Sequence, residues 1–323
     1  MTNRPLCLVT GGAGFIGSNI VRALLDRGHP VRIIDNLSTG RRENLSDVIQ
    51  DVEVVEADIR DIDAVGRAMR GVGSVLHQAA IPSVARSLAD PLRTHEANVT
   101  GTMNLLLAAR GEGVERFVYA SSSSVYGNAE VLPVLESTPA TPISPYGVSK
   151  LAGERYVSAF HASFGLATVA LRYFNVYGPR QDPASEYAAV VPRFVTARFE
   201  RRPATIYGDG EQSRDFTFVG DVVSANLLAA EAQKSAWGKV FNIATGESHR
   251  VIDLLATILA LLPGPHSPPE HAPPRQGEIR NSLADISQAN AVLGYRPSTT
   301  FTEGIETTVA WYSQLRSPAL RRS

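Results

Sequence analysis

Thr10-Gly11-Gly12-Ala13-Gly14-Phe15-Ile16-Gly17 follows a short apolar run, residues 6–10, and leads into the helical pattern Ile20, Val21, Leu24, Leu25, which Gly28 closes. Few folds accommodate Gly-x-x-Gly-x-x-Gly between a buried strand and a helix. Gly11 makes the tight turn, Gly14 lets backbone approach a pyrophosphate, and Gly17 lets the helix pack on the sheet. Backbone N–H groups at the helix start then face the phosphates. Alone such a loop is a weak signal. Residues 31–35 supply the next strand, and that strand–loop–helix–strand setting makes it a dinucleotide site.

Asp35 ends the second strand. A carboxylate there accepts hydrogen bonds from the adenosine ribose and repels a 2′-phosphate, which favours NAD over NADP. Arg41 and Arg42 are a counter-signal, since arginines accommodate that phosphate. Residues 52–56, 75–78, 117–121 and 166–172 read as strands three to six. Asp58 and Ile59 are placed to border the adenine, and the small residues of Gln78-Ala79-Ala80 to lie against the cofactor. A helix over residues 92–110 contains Asn98 among Ala97, Val99 and Met103. It reads equally as a buried hydrogen-bonding residue or as a brace for the active site.

Strands alternating with helices predict an α/β chain with a doubly wound parallel Rossmann-type sheet. The NAD-binding domain is expected over residues 1–175, with returns from about 215–245. A smaller C-terminal α/β lobe, residues 176–323, is expected mainly to bind substrate. There, residues 206–209 and 240–244 read as short strands and 222–232 as a helix. Residues 262–274 hold six prolines and read as loop, with His266 and His271 solvated in it.

Composition narrows the function classes. The 323 residues are 44% hydrophobic and 20% charged, with a net charge of -1 and no basic block, which argues against nucleic acid. No apolar run reaches membrane-spanning length. Cys7 is the single cysteine and permits no internal disulfide. The first strand begins within ten residues, leaving no room for a signal peptide, so a cytoplasmic location is expected. Scattered histidines and one cysteine offer no metal site.

In Ser144-Pro-Tyr146-Gly-Val-Ser-Lys150, the tyrosine and lysine lie on one face of a helix. A nearby ammonium favours the phenolate, so the tyrosine is expected to act as a base near neutral pH. The serines 121–124 follow the fifth strand, at the sheet edge where open α/β folds bind ligands.

Together these motifs resemble the extended short-chain dehydrogenase/reductases. Within them the chain is most similar to UDP-hexose 4-epimerases, in particular those acting on UDP-N-acetylglucosamine. The resemblance runs from about Leu6 to Tyr312. It rests on the glycine loop, Ser122-Ser-Ser-Val-Tyr-Gly127, the Tyr146/Lys150 helix and Leu171-Arg-Tyr-Phe-Asn-Val-Tyr-Gly-Pro179. Gly208-Asp-Gly-Glu-Gln-Ser-Arg-Asp215 and Arg275-Gln-Gly-Glu-Ile-Arg-Asn-Ser-Leu-Ala-Asp285 complete it.

The resemblance implies that Tyr146 is the base, Lys150 its electrostatic partner and a ligand of the nicotinamide ribose, and Ser122 the hydroxyl on the sugar O4. Ser123 and Ser83 lie beside the sugar. Asn175, Arg214 and Arg275 match groups that hold the UDP diphosphate. Ala189 and Val190 match backbone contacts to the nucleotide, and Tyr207 lies near the uracil. Glu278 stands where many members carry Asp against the uridine ribose, and Pro82 where some carry a lysine. Phe15, Ile16, Asn36, Gly40, Asn98, Tyr173 and Val176 complete the cofactor set. A homodimer through a four-helix bundle, residues 92–110 and 148–163, is implied too.

The implied reaction is a C4 epimerisation through a 4-keto sugar, with NAD reused and no net redox change. Related 4,6-dehydratases and decarboxylases need an acid after the fifth strand, where this chain has Ser123 and Ser124. A non-catalytic dinucleotide sensor would not need Tyr146 and Lys150. Arg86 leaves open a UDP-N-acetylhexosaminuronic acid. Ser282, four residues after Glu278, matches a position where small side chains accompany 2-acetamido sugars.

Overall fold

The computed structural model describes residues 4–183, 189–274 and 279–316. Its centre is a seven-stranded parallel sheet. The strands are β1 (Leu6–Thr10), β2 (Val31–Asp35), β3 (Val52–Glu56), β4 (Val72–His77), β5 (Arg116–Ser122), β6 (Thr168–Tyr173) and a last strand, Lys239–Ile243. From one edge the order is Lys239–Ile243, β6, β5, β4, β1, β2, β3. β1 pairs in parallel with both β2 and β4, setting Thr10 opposite Ile34 and His77. The winding reverses there, which opens a crevice at the carboxyl ends of β1 and β4.

The central strands form because both their faces are buried. Leu8, Ile34, Val75 and Phe117 pack on one side with Leu105, Leu106 and Val157. Val9, Ile33 and Leu76 pack on the other with Ile20, Val21 and Leu227. Each such side chain contributes about 1.5–3 kcal/mol on burial.

The expected doubly wound sheet is present, with shifted boundaries. β4 starts at Val72 rather than at residue 75, because the short polar Ser74 fits inside the sheet at 5% exposure. β6 starts at Thr168 rather than at residue 166, because Gly165, at φ +75, ends the preceding helix and Leu166 and Ala167 span the turn. The proline-rich 262–274 segment is not all loop. Glu270–Ala272 pairs in parallel with Thr205–Tyr207, its prolines standing outside the three paired residues. His271 therefore lies in a strand, with Nδ1 2.7 Å from the Gly208 carbonyl oxygen.

The helices α1 (Phe15–Asp26), α2 (Ile62–Met69), α3 (Val84–Ala89), α4 (Pro91–His95), α5 (Gly101–Gly111) and α6 (Pro145–Phe164) flank the sheet. The helix expected over 92–110 is interrupted by a π turn, Glu96–Thr100, which carries Asn98. α6 is well punctuated. Ser144 caps it by accepting from Gly147 N at 3.1 Å, and Pro145 occupies its first turn. Its buried stripe runs Gly147, Lys150, Gly153, Glu154, Val157, Phe160. A Cβ at Gly153 would lie 2.1 Å from Tyr119 Oη, so glycine is what lets α6 settle on β5.

The C-terminal lobe has its own core, including Phe194, Ile206, Leu254, Ile258, Ile305 and Tyr312. Among the described residues, no helix is long and apolar enough to cross a membrane.

Candidate active site

A cleft of about 600 Å³ follows the carboxyl ends of the central strands. At one end sits the glycine loop. Gly11, at φ +65, donates to Ile34 O at 2.8 Å, and Gly14 N donates to Gly11 O at 3.0 Å. A Cβ at Gly17 would lie 2.2 Å from Gly11 O, and one at Gly11 would lie 2.8 Å from the Ala79 backbone. The loop lines the cleft and has no room for side chains at Gly11 and Gly17.

Asp35 is 7% exposed. Its Oδ2 accepts from Ala13 N at 2.9 Å and its Oδ1 from Leu37 N at 2.8 Å. Burial raises its carboxyl, and the two backbone donors oppose that. Each oxygen keeps a lone pair for a ribose hydroxyl. Gly40 packs on this carboxylate, 2.8 Å separating its would-be Cβ from Oδ2. Asp58 accepts from Asn36 Nδ2 at 2.7 Å and pairs with Arg60 at 2.9 Å. Burial works against its ionisation, yet bonds from Arg60 and Asn36 bring it down to about 2. Phe15, Ile16, Ile59, Ala79, Ala80 and Val176 line the same cleft.

Gln78 and Tyr173 are fixed from behind. Gln78 Nε2 donates to Asn226 Oδ1 at 2.9 Å, and the Tyr173 hydroxyl lies 3.1 Å from Gln78 Oε1. Asn98, 1% exposed, does not face the cleft. Its side chain accepts from Ile81 N at 2.8 Å and donates to Ile81 O at 3.2 Å and to Ser149 Oγ at 3.0 Å. Asn98 is thus a buried hydrogen-bonding residue, with one partner, Ile81, on the cleft wall and the other, Ser149, next to Lys150; it does not line the cleft as the cofactor set implied.

At the other end α6 brings Tyr146 and Lys150 beside the serines of β5. Ser122 Oγ donates to Ser124 Oγ at 3.1 Å and accepts from Ser124 N at 3.2 Å. Lys150 Nζ donates to Ala120 O at 2.9 Å and lies 6.0 Å from the Tyr146 ring centroid. Burial lowers the ammonium to about 8, while Glu154 pulls it up. Burial raises the Tyr146 phenol, and a hydrogen bond with Ser122 opposes that rise. Burial thus leaves the phenol above its ordinary value, where the four-residue spacing predicts a depressed one. The lysine is turned to the Ala120 carbonyl oxygen.

A second cavity, about 200 Å³, adjoins the cleft and shares Asn175, Val176 and Ala189 with it. Val190, Tyr207 and Arg214 line it, and the Arg193 guanidinium lies 4.9 Å from the Tyr207 ring centroid. Asn175 holds a φ of +31, and its Nδ2 donates to Asp215 O at 3.3 Å. Ser83 caps α3 at the cleft wall, with Ser123 facing the same space. Ser282 lines neither cavity; its N donates to Ser213 O at 3.1 Å, one residue from Arg214. Arg275 and Glu278 lie outside the described residues.

Sequence reading missed the support beneath Lys150. Glu154, one turn further along α6, takes a bidentate pair from Arg172 on β6 and a 2.5 Å hydrogen bond from Ser121 Oγ on β5. Two signals were there: a carboxylate four residues after Lys150, and an arginine inside an apolar strand.

A glycine cradle, a buried carboxylate at the end of β2 and a Ser/Tyr/Lys cluster on one crevice define an NAD-dependent short-chain dehydrogenase/reductase of the extended type. The chain belongs to the NAD dependent epimerase/dehydratase family, whose family model matches residues 7–244. NAD is its cofactor.

Three solved structures are close to it throughout. The UDP-glucose 4-epimerase of Thermotoga maritima, with UDP-glucose, is 38% identical, with a TM-score of 0.92, over 97% of this chain and 100% of that one. The UDP-N-acetylglucosamine 4-epimerase of Methanobrevibacter ruminantium, in complex with UDP-N-acetylmuramic acid, is 39% identical, with a TM-score of 0.92 and the same coverage. The UDP-glucose 4-epimerase of Thermus thermophilus, complexed with NAD, is 41% identical, with a TM-score of 0.87, over 95% of this chain and 99% of that one.

Proposed function

We propose that this protein epimerises C4 of UDP-sugars, interconverting UDP-GlcNAc with UDP-GalNAc and UDP-glucose with UDP-galactose. The observation that carries this reading is the absence of a carboxylate beside Tyr146 among the described residues. The carboxylates lining the cleft are Asp35 and Asp58, at the ends of β2 and β3, and Asp182, paired with Arg41. Glu154 is locked to Arg172. A dehydratase or decarboxylase would need a second acid where Ser123 and Ser124 stand.

Bound NAD⁺ supplies the hydride acceptor and a positive charge. Ser122 orients the sugar O4, and Tyr146 removes its proton as C4 loses hydride. Lys150 steadies the phenolate and holds the nicotinamide ribose. Asn175 and Arg214, with Arg275, would keep the UDP anchored while the 4-keto sugar turns, and Tyr146 would return the proton to O4, with NAD supplying the hydride chemistry at C4. Ala189, Val190 and Tyr207 hold the nucleotide, and Glu278 its ribose. Residues 1–175, with 215–245, form the NAD-binding part, and 176–323 mainly the sugar-nucleotide part.

The acetamido preference is supported by the likeness to a UDP-N-acetylglucosamine 4-epimerase; the family resemblance alone sets the small Ser282 near the sugar, since it lines neither cavity. A tyrosine at 282 would compete for volume with a 2-acetamido group. Such overlap costs about 1–3 kcal/mol, or roughly tenfold per 1.4 kcal/mol. The test is a panel of UDP-sugars followed by separation of the C4 epimers. UDP-GlcNAc should turn over at least as well as UDP-glucose, and Ser282→Tyr should depress only the acetamido reaction, by about tenfold or more. No turnover of UDP-GlcNAc, or equal losses in the mutant, overturns the substrate assignment. Arg86 on the cleft wall favours a second reading, a uronic acid substrate, so UDP-N-acetylhexosaminuronic acid belongs in the panel.

The protein is proposed to be a cytoplasmic homodimer. Exposed apolar side chains on the two helical segments support the dimer: Leu92 and Leu107 within residues 92–110, and Val148 and Tyr156 on α6. Cell fractionation tests the location.

A further inference from the structure

His77 closes β4, is 1% exposed, and has no part in the chemistry above. Its ring lies between two threonines. Nδ1 is 2.7 Å from Thr10 Oγ1 on β1, and Nε2 is 2.8 Å from Thr102 Oγ1 on α5. The outer partners settle which way each bond runs. The Thr102 hydroxyl donates to Asn98 O at 2.6 Å, so its single hydrogen is engaged and it accepts from His77 Nε2–H. The Thr10 hydroxyl accepts from Ala79 N at 3.0 Å and gives its hydrogen to a bare Nδ1. One directed chain results: Ala79 N–H, Thr10, His77, Thr102, Asn98 carbonyl.

Both ends of that chain return to the same loop. Ala79 lies against the glycine turn, at the 2.8 Å approach that forbids a Cβ on Gly11. Asn98 grips Ile81 through N and O, and grips Ser149 beside Lys150. Asn98 sits in the π turn, a helical irregularity that recurs at functional sites. We infer that His77 is a positioning residue: as the neutral Nε2–H tautomer it holds residues 79–81 at both ends against the NAD cleft and ties them to the helix of Tyr146 and Lys150.

Imidazole suits the position because it is rigid, with a donor and an acceptor on opposite sides of one ring. The Phe117 and Tyr119 rings of β5 pack on it at 6.0 and 5.5 Å. Burial and then the Lys150 charge hold it down to about 3. A protonated ring would need Thr10 to stop donating and would repel the Lys150 ammonium.

The roles of Tyr146 and Lys150 rest on the proposed function, so the test reads the imidazole and the cofactor and needs no sugar. In ¹⁵N-histidine-labelled holoenzyme, the resonance lost in His77→Gln should report a protonated Nε2 and a bare Nδ1, unchanged from about pH 5 to 9. An Nδ1–H tautomer, or titration in that range, overturns the inference. Exchange of bound NAD for labelled NAD should be at least about fivefold faster in Thr10→Val and in Thr102→Val, since each strands a buried partner. The double variant should exchange less than multiplicatively faster, because both break one chain. Lowered melting temperatures with wild-type NAD exchange in both single variants would reduce His77 to core packing and overturn it as well.

Discussion

Glu154 and Arg172 form a bidentate ion pair, 2.8 Å at both contacts, that lies directly beneath Lys150 and is buried to 2% and 4% side-chain exposure. It joins α6 to β6, and Ser121 Oγ adds β5. Breaking one side strands a buried charge, which costs about 3–5 kcal/mol. Glu154→Gln is expected to lose that much in denaturant unfolding. Replacing both partners by methionine should cost clearly less, because no charge is left unpaired. A single-mutant loss below about 1 kcal/mol would show that the pair is not a structural fastener.

The depressed Lys150 makes a pH prediction. Its ammonium is intact below about 8 and is lost as pH rises through that value. Activity that depends on the charge should therefore fall on the alkaline side of about pH 8. Stability should respond oppositely. Between about 8 and the ordinary lysine value, the unfolded chain binds the extra proton, so this residue's contribution to stability improves as pH rises. Comparing wild type with Lys150→Met isolates both effects. Glu154→Gln, which removes the charge pulling the ammonium up, should move the activity limb to lower pH.

Tyr146→Phe should reduce turnover by about 10²–10⁴-fold, the usual worth of a general base, while folding and NAD content remain normal. Near wild-type rates would rule out Tyr146 as the base.

Gly17→Ala should abolish NAD retention. Its Cβ would meet Gly11 O at 2.2 Å, and only backbone lies there to move. Mass spectrometry of the supernatant from denatured protein measures the cofactor directly. Wild-type NAD content in the mutant would contradict the tight loop.

Val148→Glu should convert the proposed dimer to a monomer in light scattering, since Val148 is 53% exposed on α6. An unchanged mass for this variant, or a monomeric wild type, removes the bundle.

Much of this molecule is decided by short-range order in the chain. The glycine loop needs its glycines because Gly11, Gly14 and Gly17 crowd one another within a single turn. Tyr146 and Lys150 share a helix face by spacing alone, and Asp35 follows from the end of a buried strand. These features could be read directly because residues a few positions apart determine them.

Tertiary structure decided the rest. His77 meets Thr10 across 67 residues and Thr102 across 25, and Arg172 finds Glu154 across 18. No local period announces such pairs; each exists because burial leaves a polar group no partner but the one the fold delivers. Burial likewise raises the Tyr146 phenol, which the four-residue spacing to Lys150 does not announce. Spacing selects which side chains share a face, whereas the packed interior sets their charge and their partners.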